Sequence, residues 1–183
     1  KDDHGETMNR RHFLGLALSA AAAPAFAKYK NNNEPRILSL RHMHTDETIR
    51  IAYRKGDHYQ RDALEKLNKF MRDHRTNESA AMDPRLFDLL YDLQVRAGHP
   101  DAEFEIYSAY RSPKTNAMLR RTSRRVARRS LHMSGKAVDV HLAGCSNRRA
   151  RDSAIALSRG GVGYYARSSF LHVDTGPVRT WRA

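Results

Sequence analysis

The stretch Ser130-Leu-His132-Met-Ser134-Gly135-Lys-Ala137-Val-Asp139 sets an imidazole seven residues ahead of a carboxylate, with a glycine between them. A short apolar run, Ala137 to Val140, carries the acid, which is how a loop-plus-strand metal site looks in sequence. About thirty residues on, Phe170-Leu-His172-Val-Asp174 offers a second imidazole on another strand-like run. Two histidines and one aspartate suffice for a three-ligand zinc site that keeps a fourth position for water. Zinc lowers the pKa of that water toward ~7, so hydroxide becomes available at neutral pH. His132, Asp139 and His172 are therefore the candidate ligands, and one Zn2+ per chain is the expected cofactor.

A strand sends alternate side chains to one face. Asp139 then shares its face with Ala137 and His141, and His172 shares its face with Phe170 and Asp174. Asp174 is the candidate general base; its rival role is to fix the tautomer of a ligand imidazole. His141 is a second candidate base or a substrate contact, against the plainer reading of a structural histidine. Ser134, inside the first stretch, is also a substrate-contact candidate. Arg111 sits between a strand end and Pro113, where a planar cation can hold a substrate carboxylate or polarise a scissile carbonyl. Its alternative is a structural salt bridge. The other histidines show no metal spacing, and His42 with His44 is set aside as a second metal pair.

The elements that must position these groups are legible in part. Arg36 to His44 and Thr48 to Arg54 alternate around Thr45-Asp46-Glu47, a β-hairpin pattern. Tyr59 to His74 carries Ala63, Leu64, Leu67, Phe70 and Met71 at helical spacing. Asp83-Pro84 opens a second helix with Leu86, Phe87, Leu90 and Leu93 inward, ended by Gly98 and Pro100. Glu103 to Tyr110 reads as a strand, and Pro113 to Leu119 as a short helix. Six arginines follow within Arg120–Arg129; if helical, they form one self-repelling stripe that an anion would relieve. Arg148 to Arg159 is a helix stopped by Gly160-Gly161, Val162–Tyr165 and Ser169–Val173 are short strands, and Gly176-Pro177 turns into a last segment with Trp181. Helices early and short strands late predict an α+β domain, a small antiparallel sheet with helices on one side.

With 183 residues the chain has room for one real core. A single cysteine, Cys145, excludes an intrachain disulfide and any cysteine-based zinc motif. Net charge is +13, pointing to an anionic partner. Residues 1–27 read as an N-terminal remnant, Lys1–Thr7, followed by an export signal. Arg10-Arg11 before Phe13-Leu14, an apolar run and Ala25-Phe26-Ala27 are the twin-arginine layout, with cleavage after Ala27. The apolar run is 15 residues with Pro24 inside it, short of the roughly 20 needed to span a bilayer, so no permanent membrane anchor is expected. Residues 28–35 form a polar linker, leaving 36–183 as the working domain. The leader's three bases and three acids cancel, so the positive charge belongs to that domain.

Ser130-Leu-His132-x-x-Gly135-x-Ala137-x-Asp139 is preceded by Tyr110-Arg111-Ser112-Pro113. It is followed by Gly161-Val-Gly163-Tyr-Tyr165 and by Phe170-Leu-His172-Val-Asp174-Thr-Gly176-Pro-Val-Arg179-x-Trp181. Together these elements resemble the YcbK/MepK-like murein endopeptidases of the LAS zinc peptidases (lysostaphin, D-alanyl-D-alanine metallopeptidase, hedgehog). The resemblance covers roughly Arg36 to Trp181. It implies zinc on His132, Asp139 and His172, with Arg111 binding or polarising substrate. It also implies hydrolysis of peptidoglycan cross-links between two diaminopimelate residues, with D-alanyl links as a second target. The usual LAS base lies two or three residues before the last ligand, where this chain has Phe170 and Ser169, so Asp174 rests on strand geometry instead. The expected partner is peptidoglycan, met by a monomer in the periplasm, and not nucleic acid, which an exported protein does not meet. A carboxypeptidase trimming stem peptides and a non-catalytic basic cell-wall binder are the competing readings.

Overall fold

Alternating apolar and polar residues over Pro35–His42 (β1) and Thr48–Lys55 (β2) produce the expected antiparallel hairpin. The computed structural model describes residues 34–123 and 126–183. The export signal, nearly all of the linker, Arg124 and Arg125 lie outside them. A two-residue strand, His58–Tyr59 (β3), pairs with β2 and takes up the start of the predicted Tyr59–His74 helix. That helix is consequently shorter, Arg61–Phe70 (α1). Tyr59 instead donates its hydroxyl to Asp88 at 2.6 Å, and the chain leaves α1 in time for Asp73 to accept the Ser112 amide at 2.9 Å.

Pro84–Arg96 (α2) starts as its sequence dictates. Asp83 caps it by accepting from the Arg85 amide, and proline stands in the first turn where no N–H is needed. Glu103–Ser108 (β4) leads through Arg111 into Pro113–Thr122 (α3), capped by the Ser112 hydroxyl. Ser123 is extended and ends α3 after Arg120 and Arg121, so the condition for a helical arginine stripe is not met at the described residues Arg128 and Arg129. A 3-10 turn, Leu131–Ser134, precedes Ala137–Leu142 (β5). Asn147–Leu157 (α4) closes at Ser158, whose left-handed backbone ends the helix two residues before the glycines. Gly161–Tyr165 (β6), Phe170–Asp174 (β7) and Arg179–Arg182 (β8) complete the chain.

The eight strands form one sheet in the order β3-β2-β1-β4-β5-β7-β6-β8. It is antiparallel except for the β1–β4 and β6–β8 pairs, and so larger and more mixed than a small antiparallel sheet. The α+β class holds, and the described residues belong to one compact unit. Leu67 and Phe70 of α1, Phe87 and Leu90 of α2 and Ala150 and Ala154 of α4 share one core with Leu38, Leu40, Phe104, Ile106, Val138, Val140, Leu171 and Val173. The alternate residues of those strands face the other way. No described helix is long and apolar enough to cross a membrane.

The β7–β8 connection is short and carries the chain across the start of β6, so the backbones meet closely there. A Cβ on Gly161 would meet the Asp174 carboxylate and lie 2.5 Å from Arg179 Nη1, which is why this position is glycine.

Candidate metal centre

Register places the site. Ser108, Asp139, His172, Gly163 and Trp181 stand opposite one another on β4, β5, β7, β6 and β8, a single row across the face away from the helices. Asp139 and His172 are thus cross-strand neighbours. His132 reaches them from the 3-10 turn, which Ser130 caps and Gly135 ends. Gly135 has φ 66°, and its Cα sits against the Ala81 carbonyl, leaving no room for a side chain. Its own carbonyl accepts from the Asp83 amide at 2.8 Å, tying the turn to the start of α2.

The three groups converge. His132 Nε2 lies 3.2 Å from His172 Nδ1 and 3.4 Å from Asp139 Oδ1, and His172 Nδ1 lies 2.9 Å from the same carboxylate oxygen. A tetrahedral zinc with bonds of about 2.0–2.1 Å separates its ligand atoms by about 3.3 Å, so these spacings fit one ion. Among the described residues this is the one group of three His, Cys, Asp or Glu able to hold a metal, and all three members are buried. The histidines are turned for it by their other nitrogens. His132 Nδ1 donates to the Ala109 carbonyl at 2.7 Å, leaving Nε2 for the centre. His172 Nε2 donates to Asp174 Oδ2 at 2.9 Å, leaving Nδ1.

Electrostatics agree. Burial pushes His132 down from its ordinary value, outweighing the attraction of Asp139. Burial opposes charge on His172 too, but hydrogen bonds to Asp139 and Asp174 prevail and push its pKa up to about 9. Burial would raise Asp139, yet the charge and hydrogen bonds of His132 and His172 hold it below the usual carboxylate range. The two carboxylates thus favour positive charge on the His172 ring that lies between them, and Asp139 carries negative charge toward His132.

Asp174 shares the face of His172, as strand alternation predicts, but stands behind the ring rather than beside the metal position. It is fully buried and saturated. Oδ1 accepts from the Gly161 and Gly176 amides and from Arg179 Nη1; Oδ2 accepts from His172 and from Arg179 Nη2 at 2.7 Å. Burial alone would raise it, and these donors together hold it below the carboxylate range. The placement suits the tautomer-fixing role over that of a base.

Arg111 lines the cleft. Its amide donates to the His132 carbonyl, Nη2 reaches Ser108 Oγ at 3.3 Å and lies 3.7 Å from Asp139 Oδ2, and Nε is buried with no partner. Burial pulls the guanidinium below its ordinary value against Asp139's attraction. His141 lies on the Asp139 face but is bound to Asn147 at 2.8 Å, and Ser134 donates to the Leu131 carbonyl; neither lines the cleft. His42, His44 and His74 gather elsewhere. His42 Nδ1 accepts the His44 amide at 3.2 Å, and the three rings pack against one another.

The cleft above the row has a volume of about 540 Å3. Tyr165, Phe170, Arg179 and Trp181 line it, and none of them stood out as a site residue from spacing. The signal was Gly163 opposite His172 and Trp181: a Cβ there would lie 2.5 Å from the indole, so the glycine admits the ring beside His172, centroid to centroid 5.1 Å.

A family model described as peptidoglycan L,D-endopeptidase MepK matches residues 30–181. The chain is 45% identical over 178 residues to the peptidoglycan L,D-endopeptidase MepK of Escherichia coli strain K12, covering 94% of this chain and 97% of that one. It is 43% identical over 178 residues to the probable peptidoglycan L,D-endopeptidase MepK of Haemophilus influenzae, covering 95% and 96%. No solved structure gives a significant match. Metal-spaced donors from one sheet face and the turn beside it agree with near full-length similarity, and the chain belongs to the peptidoglycan L,D-endopeptidase MepK family.

Proposed function

We propose that this chain is a zinc-dependent peptidoglycan endopeptidase. It hydrolyses stem-peptide cross-links between two diaminopimelate residues, and D-alanyl cross-links are its second candidate substrate. The observation that carries the reading is the convergence of His132 Nε2, Asp139 Oδ1 and His172 Nδ1 within 2.9–3.4 Å of one another in the wall of an open cleft. Zinc held there would supply Lewis acidity and a water activated at neutral pH.

The chain's own residues supply the rest. Asp174 fixes His172 in the tautomer that presents Nδ1, and Ala109 does the same for His132. Arg111 lines the cleft with its guanidinium held beside Ser108 and Asp139, a planar cation suited to a substrate carboxylate or to the scissile carbonyl. The twin-arginine leader supports a periplasmic location, where the wall is.

The test is digestion of purified muropeptide dimers by zinc-loaded and chelated protein, with products resolved by mass. Dimers joined through two diaminopimelates become monomers, a chelator stops the reaction and zinc restores it. Intact dimers in the presence of zinc-loaded protein would sink the proposal. Shortened monomers beside intact dimers would identify a carboxypeptidase. Wall binding that survives His132→Ala, with no zinc by elemental analysis, would identify a binding protein.

A further inference from the structure

We infer that Tyr165 is a catalytic residue of this cleft, whose phenol donates a hydrogen bond to the oxygen of the scissile carbonyl as that oxygen gains charge. The inference rests on the peptidase reading above and adds a residue to it. Tyr165 stands on β6 two residues beyond Gly163, on the same face, and lines the same cleft as Arg111, His132, Asp139 and His172.

Its hydroxyl is already oriented. Trp181 Nε1 donates to the Tyr165 oxygen at 3.3 Å. Indole is a donor only, so the phenol's own proton must point away from it, and among the described residues none accepts it. The proton is left for a ligand in the cleft.

The ring is held as firmly as the hydroxyl. Tyr165 stacks on Phe170 at 4.6 Å and 19°, and Phe170 stacks in turn on Tyr107 at 5.9 Å. Trp181 keeps its own place only because Gly163 has no side chain. A donor fixed before substrate arrives needs no reorganisation when charge develops, which is the condition for strong transition-state stabilisation. The phenol keeps its proton throughout: one water is consumed, one C–N bond breaks, and an amine and a carboxylate leave.

Tyr165→Phe keeps the stack and deletes the donor. The expected result is a fall in kcat of about 100-fold with KM changed by less than about threefold. Zinc content and melting midpoint stay as in the wild type. A phosphinate that mimics the tetrahedral state binds about 100-fold more weakly to the variant, because the donor acts on that state and not on the ground state. Trp181→Phe, which keeps the phenol but removes the group that aims it, gives a smaller loss of about tenfold.

Wild-type cleavage with Tyr165→Phe turning over equally fast overturns this inference alone. Loss of kcat accompanied by loss of zinc or of folding also overturns it, since Tyr165 would then be structural. A zinc-loaded wild type that leaves every dimer intact overturns the proposed function itself.

Discussion

Two carboxylates flank His172, and their surroundings give them different work. Asp139 faces the metal position and keeps Oδ1 for it, while Asp174 spends all its acceptor capacity on five donors behind the ring. A carboxylate so placed cannot collect a proton from water in the cleft without releasing a partner, but it does fix which nitrogen His172 presents. Asp174→Asn separates the two roles. As the orienting group, its loss weakens zinc affinity by about 10–100-fold, read by competition with a chromophoric chelator. Full zinc affinity with kcat lost would instead make Asp174 the base. The same contrast explains what spacing could reveal. Of the candidate trio, Asp139 and His172 were legible because each sits on a short run whose alternation exposes one face, and His132 because it stands seven residues ahead of Asp139 with Gly135 between them. Which side of His172 Asp174 occupies depends on Gly161, Gly176 and Arg179 closing round it, a tertiary fact with no local period.

At the scale of elements, the hairpin and the apolar stripes of α1, α2 and α4 were legible because a buried face imposes its period on the sequence. Helix ends were less so. Tyr59 and Met71–His74 carry the α1 pattern but leave the helix, Tyr59 for Asp88 and Asp73 for the start of α3. The strand order escaped the sequence too, because β8 reaches the far side of β6 by a crossing that only the glycines mark. Asp73 is the element-scale joint worth testing, since it ties the loop after α1 to Ser112 beside Arg111. It is 2% exposed. Burial would raise its pKa, but hydrogen bonds from the Thr115 hydroxyl and the Ser112 and Arg75 amides win and bring it to about 2, from an ordinary 3.8. Between those values the unfolded chain binds more protons than the folded one, so stability rises with pH across that window. The contribution is fully present above pH 4 and is lost as pH falls through about 2. It amounts to about 2 kcal/mol. Asp73→Asn therefore lowers the urea-unfolding free energy at pH 7 by about 2 kcal/mol and flattens the acid limb below pH 4. A variant that keeps the wild-type slope there shows that Asp73 is not its source.

At the scale of the whole molecule, the charge of +13 remains to be placed. Ser123 ends α3, so among the described residues Arg128 and Arg129 do not continue a helical stripe from Arg120 and Arg121. Among the described arginines, Arg129 and Arg179 stand at the cleft and Arg111 is buried inside it. Exposed charges act over a Debye length of about 10 Å at 0.1 M salt and are screened beyond it, whereas a buried guanidinium is screened far less. Surface charge should then govern encounter with an extended anionic wall, and Arg111 should govern the held peptide. The two separate on two substrates. On intact sacculi, raising salt from 0.05 to 0.5 M, two conditions about a decade apart, is expected to raise apparent KM about tenfold. On a soluble muropeptide dimer, kcat/KM changes by less than about twofold, since the cleft's own contacts carry the binding. Equal salt dependence on both substrates would mean that the charge acts within the cleft, and the surface arginines would then have no separate part in reaching the wall.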